Sequence, residues 1–242
     1  MFNFLGLPLY WEYYLMGIIL VPGLILGIIA QSRVNSTFDK YSNVMSASGR
    51  TAGEVAKIML NAAGCNDIAV TKISGHLTDN YNHKTKMVSL SNSVHDSTSV
   101  AAIGVAAHEI GHVLQYKTNY APIKLRKLAI GLSNISSTLL WPLVIVGLIF
   151  SFMLSSAYGD IMLWAGIAVF GLAVVVNLIT LPVEYNASKR ATTILQQSGL
   201  LTEEETSQSK KVLDAAALTY VAALVVSILS LLRFILAFRS RD

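Results

Sequence analysis

Four stretches of this chain carry no Asp, Glu, Lys or Arg: residues 13–32, 128–159, 161–183 and 215–232. Each is close to or above the ~18–20 residues that a helix needs to cross a bilayer. The pattern predicts four spans, at residues 13–30, 135–153, 161–181 and 216–232. Four buried core helices of this kind would leave a chain of 242 residues too little polar surface for a soluble globule. Pro22 and Gly23 predict a kink in the first span, tolerable in a membrane where neighbours re-satisfy the backbone. No Lys or Arg precedes that span, only Glu12. It therefore lacks the basic start of a cleaved signal peptide and is expected to stay as an anchor.

Between the runs the periodicity changes. Ser48 or Thr51 can cap a helix that reaches residue 63, with Gly64 as its stop and Val55, Ile58 and Met59 as its apolar stripe. Residues 68–73 predict a short strand. A polar turn follows over 82–85, then a second strand over 86–90. Asp96 or Ser97 can open a further helix that runs to about residue 116. Small side chains crowd that helix (Ala101, Ala102, Gly104, Ala106, Ala107, Gly111), so other backbones can approach it closely. Thr202 followed by Glu205 is a capping box, which starts a helix leading into the last apolar run.

These elements predict a mainly α membrane protein with about four transmembrane helices and a small α+β part. Residues 1–34 would be an anchor, 35–127 the α+β unit, 128–183 a transmembrane hairpin, 184–214 a second polar helical segment and 215–242 the C-terminal span. Composition agrees: 53% of residues are hydrophobic and 13% charged, against roughly a quarter charged in soluble domains. Eleven Lys and Arg fall within 31–127, and none within 1–12 or 154–160. The positive-inside rule then puts 31–127 and 182–214 in the cytoplasm. Arg233, Arg239 and Arg241 near the C-terminus run against that orientation. Cys65 is the only cysteine, which excludes an intrachain disulfide and a thiolate cluster. No nucleic-acid partner is expected; the expected partners are the lipid bilayer and a protein or peptide substrate.

The candidate chemistry lies in "VAAHEIGHVLQ", residues 105–115. Residues four apart on a helix share one face, with Cβ atoms ~5–6 Å apart. The imidazoles of His108 and His112 can therefore reach one tetrahedral ion at ~2.0–2.1 Å each. Glu109 projects beside them and can serve as general base. At this composition a His-Glu-x-x-His pattern is expected by chance roughly 0.003 times in the chain. The flanking "AAIGVAA" and "VLQ" are mostly apolar, so an unpartnered pair of histidines here would be costly. A catalytic zinc needs a third protein ligand and an open position. His76, His83 and His95 fall on expected loops or turns. Glu203, Glu204 and Glu205 form a capping run expected to be solvated. Glu184, in "LPVEYNASKRA" after Pro182, stands at the end of an apolar run, where a carboxylate is expensive unless paired or bound to a metal. Asp214 is the runner-up.

The segments "GHLTDNYN", "VAAHEIGH", "LPVEYNASKRA" and "AAALTYVAA" resemble the successive motifs of the YugP-like membrane zinc metallopeptidases and, more distantly, the HtpX-like gluzincins. The resemblance covers nearly the whole chain, most strongly residues 70–225. It implies a zincin-like unit and a membrane-bound neutral zinc peptidase acting at the cytoplasmic face. His108, His112 and Glu184 would bind Zn2+, with Glu109 as base. HtpX-like enzymes carry an Asp four residues after the ligand Glu to orient a zinc-bound His; Ser188 stands there in this chain.

A zincin also needs a group that stabilises the tetrahedral oxyanion. Tyr220 in "AAALTYVAA" is the candidate, although a tyrosine there also fits an interfacial belt. The strand at 86–90 could be an edge to which an extended substrate adds. Two other readings compete. In a site-2-type intramembrane protease the HExxH helix is itself a span, but only residues 97–107 ahead of His108 are uncharged. A non-catalytic zinc-binding scaffold would not need Glu109.

Overall fold

The computed structural model describes residues 17–132 and 156–239. Helix α1 is Val21–Ser42, α2 is Ala52–Ala62 and α3 is Val100–Lys117. A helical segment over residues 121–132 follows, here α4. The long helices α5, Ser156–Gln197, and α6, Glu203–Arg239, complete the described chain. Strands β1 (Ala69–Ile73), β2 (Asn80–Asn82) and β3 (Met87–Ser91) form one sheet in the order β1-β3-β2. The molecule is mainly helical, with a small three-stranded sheet.

The chain divides into two compact units. One comprises residues 1–29, 124–181 and 220–242; the other comprises 30–123 and 182–219. In the first, the apolar side chains turn outward. Ile28 is 71% exposed and Trp164 61%, and Leu24, Val175, Leu178 and Ile228 are exposed as well. Among the described residues two helices are long and apolar enough to cross a membrane, Trp164–Gln197 and Glu203–Arg233, each with mean hydropathy 2.3. Only 17% and 22% of their most apolar windows are buried, whereas a core helix of a soluble protein would bury most of such a face. Of the four expected spans, the first begins before the described residues and the second lies outside them. The first span is interrupted at the expected place: residues 17–18 are helical and the helix restarts at Val21, just before Pro22. A turn at residues 19–20 precedes the helix, and Pro22 falls in its first turn, where a missing N–H costs nothing.

The second unit holds the sheet and α2, α3 and the inner parts of α5 and α6. Thr51 caps α2 through a reciprocal capping box. Its hydroxyl accepts from the Glu54 N–H at 3.2 Å, and the Glu54 carboxylate accepts from the Thr51 N–H at 2.9 Å. Gly64, at φ +62°, ends the helix. Ala52, Val55, Ala56, Met59 and Leu60 share one face and are buried against the core that includes Val100, Ile103, Ala107 and Ile110 of α3. The cap of α3 is Ser99, whose hydroxyl accepts from the Ala102 N–H. Neither Asp96 nor Ser97 takes that place. Ser97 instead donates to the Ser99 hydroxyl at 3.0 Å, and Asp96 pairs with Lys72 and His95.

Two further expectations are corrected. Strand β3 is the centre of the sheet, parallel to β1 and antiparallel to β2. Both its edges are already paired, so it cannot receive an added strand. Val88, Ser89, Leu90 and Ser91 are all buried, as a central strand requires. Glu205 is not solvated. It closes the capping box with Thr202, and its carboxylate also accepts from the Ala47 N–H at 2.6 Å. It is 9% exposed and ties the start of α6 to the loop between α1 and α2.

Candidate metal centre

Helix α3 packs against α5 through backbone. A Cβ on Gly111 would run into the Ala187 carbonyl, and one on Gly104 would strike Ser209 of α6. The small residues seen in the sequence are what allow this. Glu184 lies three positions before Ala187, and His108 lies three before Gly111. The close approach at Gly111 and Ala187 therefore lays Glu184 across the two histidines one helical turn away. Pro182 does not end the preceding run in a turn; it sits inside the continuous helix α5. Glu184 is thus aimed by helix packing.

The ligand atoms of His108, His112 and Glu184 all lie within 4.8 Å of one another. Glu184 Oε2 is 3.1 Å from His108 Nε2 and 3.6 Å from His112 Nε2. Ligands of one tetrahedral ion at ~2.0–2.1 Å stand about 3.4 Å apart; both Glu184 contacts are close to that spacing, and side-chain adjustment within the 4.8 Å cluster would bring all three onto one ion. Glu184 is 2% exposed and both histidines are largely buried. Among the described residues this is the one group of three or more His, Cys, Asp or Glu side chains so arranged.

Each imidazole is also held from behind. His108 Nδ1 lies 3.1 Å from Ser188 Oγ, and His112 Nδ1 lies 2.9 Å from Gln115 Oε1. An Nδ1–H donated outward leaves the Nε2 lone pair facing Glu184, which is the tautomer a metal requires. Gln115 is fully buried. Its Nε2 donates to the Val183 carbonyl at 2.7 Å and to Asn186 Oδ1 at 3.1 Å. Asn186 Oδ1 also accepts from Arg190 Nε at 2.8 Å, and the Arg190 guanidinium lies over the Tyr120 ring. Gln115 and Asn186 were not singled out by sequence. The available signal was position: Gln115 follows His112 by three on an otherwise apolar face, and Asn186 follows Glu184 by two.

Glu109 is buried, 8% exposed. Burial pushes its carboxyl above the usual range, against the pull of His112 and His108; Glu184 and Asp79 add to the rise. His112 is also raised. Burial lowers it, but the Glu184 hydrogen bond and the Glu109 and Glu184 charges outweigh that. Asp79, in "GHLTDNYN", is pushed up by burial and is anchored by the Ser91 N–H at 2.8 Å and the Ser91 hydroxyl at 2.9 Å.

The other candidates stay apart. His76 meets Phe38 edge-on, His83 stacks on Tyr116 at 4.0 Å, and His95 pairs with Asp96. Asp214 is exposed and 3.1 Å from Lys210 Nζ, and it is not part of the cluster as the third ligand. Tyr220 is half-buried on α6 and belongs to the other compact unit.

The profile of the family described as "Putative neutral zinc metallopeptidase" matches residues 16–239. The chain is also 41% identical, over 218 residues, to the "Putative membrane protease YugP" of Bacillus subtilis (strain 168). That alignment covers 90% of this chain and 94% of the relative. No solved structure matches the chain. The chain belongs to this YugP-like family of neutral zinc metallopeptidases.

Proposed function

We propose that the protein is a membrane-bound, zinc-dependent endopeptidase whose metal ligands are His108, His112 and Glu184. The observation that carries this reading is the convergence of two imidazole Nε2 atoms on one buried carboxylate, at 3.1 and 3.6 Å, with each Nδ1 engaged behind. Two neutral imidazoles and one carboxylate leave a 2+ ion with a residual single positive charge, the donor set of hydrolytic zinc sites. Zinc, when bound, supplies the Lewis acidity that polarises a scissile carbonyl and acidifies a water.

The chain's own groups do the rest. The Glu109 carboxylate takes the proton from the attacking water and returns it to the leaving amine. Burial raises its proton affinity, which helps it hold the proton between the two transfers. Ser188 and Gln115 keep the imidazoles in the ligating tautomer. The Tyr220 hydroxyl is the candidate donor to the oxyanion. With β3 enclosed, an extended substrate would add to an outer strand of the sheet, β2 or β1.

The protein is read as multi-pass, with residues 31–127 in the cytoplasm on the strength of their eleven cations. In a Cys65→Ser background, a cysteine at Asn82 should escape an impermeant maleimide in intact cells; prompt labelling inverts the topology.

The catalytic reading is tested by separating base from ligand. Glu109→Gln should keep one zinc per chain and lose peptidase activity by at least ~10²-fold. Glu184→Ala should lose both. Cleavage of a denatured protein substrate by Glu109→Gln at the original rate would refute the mechanism. Zinc binding by the unaltered protein with no cleavage of any such substrate would favour the scaffold reading instead.

A further inference from the structure

A cavity lies between α1 and α6 within the polar unit, lined by none of the metal-cluster residues. It encloses about 420 Å³ and is lined by Arg33, Thr37, Lys40, Tyr41, Lys211, Asp214, Ala215 and Leu218. Its volume is in the range of small-molecule sites. Its electrostatics are one-sided. Arg33, Lys40 and Lys211 are cations, and the single acid, Asp214, is already engaged by Lys210. Among the described residues no carboxylate pairs with Arg33, Lys40 or Lys211. Three like charges facing one space repel one another unless an anion joins them.

Chain position says which anion. Arg33 is the first charge after the uncharged run 13–32, and Asp214 is the last charge before the run 215–232. The lining residues occupy two turns of each helix at the junction between its apolar run and its polar part. From Arg33 to Lys40, or from Lys211 to Leu218, is about 10 Å of helix. The headgroup layer on one side of a bilayer is about 5–8 Å thick. Ala215 and Leu218 lie at the start of the apolar run, and Lys211, Lys40 and Tyr41 lie away from it. An amphiphile with an anionic phosphate and acyl chains matches that gradient, whereas a free anion does not use Leu218.

We infer that this cavity is a binding site for the phosphate headgroup of an anionic phospholipid. Lys40, Lys211 and Arg33 meet the phosphate, and the Thr37 and Tyr41 hydroxyls are at hand for the headgroup's own hydroxyls. The inference rests on the membrane reading of α1 and α6 and is independent of the metal site.

Native mass spectrometry of the full-length protein in detergent, with phosphatidylglycerol, phosphatidylcholine or inorganic phosphate added, reads it directly. Phosphatidylglycerol should be retained in preference to phosphatidylcholine. Each cation removed should cost about fivefold in that preference. Lys40→Gln with Lys211→Gln should therefore nearly abolish it, and Arg33→Gln alone should weaken it. Lys40→Arg with Lys211→Arg should preserve it. A control with the same loss of charge elsewhere, Lys57→Gln with Lys84→Gln, should also preserve it. The proposal is overturned if the double Gln variant keeps the preference, if the control loses it equally, or if inorganic phosphate binds as well as the lipid. Failure of the membrane reading is seen separately, as recovery of the protein in the soluble fraction after alkaline extraction.

Discussion

The molecule brings imidazole and carboxylate together in two places, and the two differ in almost every respect but the pair itself. His95 and Asp96 are sequence neighbours 2.5 Å apart, joined by Lys72, with Asp96 59% exposed. His108 and His112 on α3 meet Glu184 on α5, which is 76 residues beyond His108, at 3.1 and 3.6 Å, with Glu184 2% exposed. The shorter contact is the less informative one. Neighbouring side chains at a surface pair readily and contribute little. A buried carboxylate facing two imidazoles, each held from its far side, is costly to assemble without a metal or a proton to share. Orientation from behind, rather than proximity, separates a candidate site from an ion pair.

The contrast can be broken most severely at the helix crossing. Gly111→Leu should drive the Ala187 backbone away from α3, at a cost of more than about 3 kcal/mol. A large fall in melting temperature together with loss of zinc binding is expected. A Gly111→Leu protein that melts normally and binds zinc would mean the crossing does not position Glu184. Next comes the support behind His112. Gln115→Ala should lower zinc affinity about 10–100-fold, measured by chelator competition. Ser188→Ala should have a smaller effect, because one hydroxyl orients His108 without a chain of partners behind it. Acidification should also release zinc. Metal binding requires neutral His112, and the carboxylates raise its proton affinity. Affinity should therefore fall as pH drops, starting above the pH expected for an ordinary histidine. The smallest effect is at the surface pair. Asp96→Asn should leave zinc content unchanged and shift the melting temperature little; a loss of zinc there would erase the distinction drawn between the two places.

Much of this was legible in the chain. The α2 capping box and its Gly64 stop follow from local residue chemistry, as does the Thr202–Glu205 box. The His108–His112 face follows from helical periodicity, and Glu184 from the expense of a carboxylate at the end of an apolar run. What stayed hidden depends on partners distant in sequence. "NYN" is too short and polar to announce β2, so the central place of β3 was not visible. Ser89 and Ser91 gave β3 the look of an alternating, half-exposed strand. Glu205 reads as one of three solvated acids until the Ala47 N–H is brought to it. Gln115 and Asn186 are ordinary polar residues until α3 and α5 touch.

The gap of 76 residues between His108 and Glu184 also has a meaning in time. Chains are made at roughly 5–20 residues per second, so Glu184 follows His108 by about 4–15 s. Throughout that interval the nascent chain carries His108, His112 and Glu109 but not Glu184. Two histidines hold zinc weakly, and Gly111 has as yet no backbone to pack against. Under the proposed peptidase function, assembly in this order leaves the site inert while the chain's own unfolded segments are most open to cleavage.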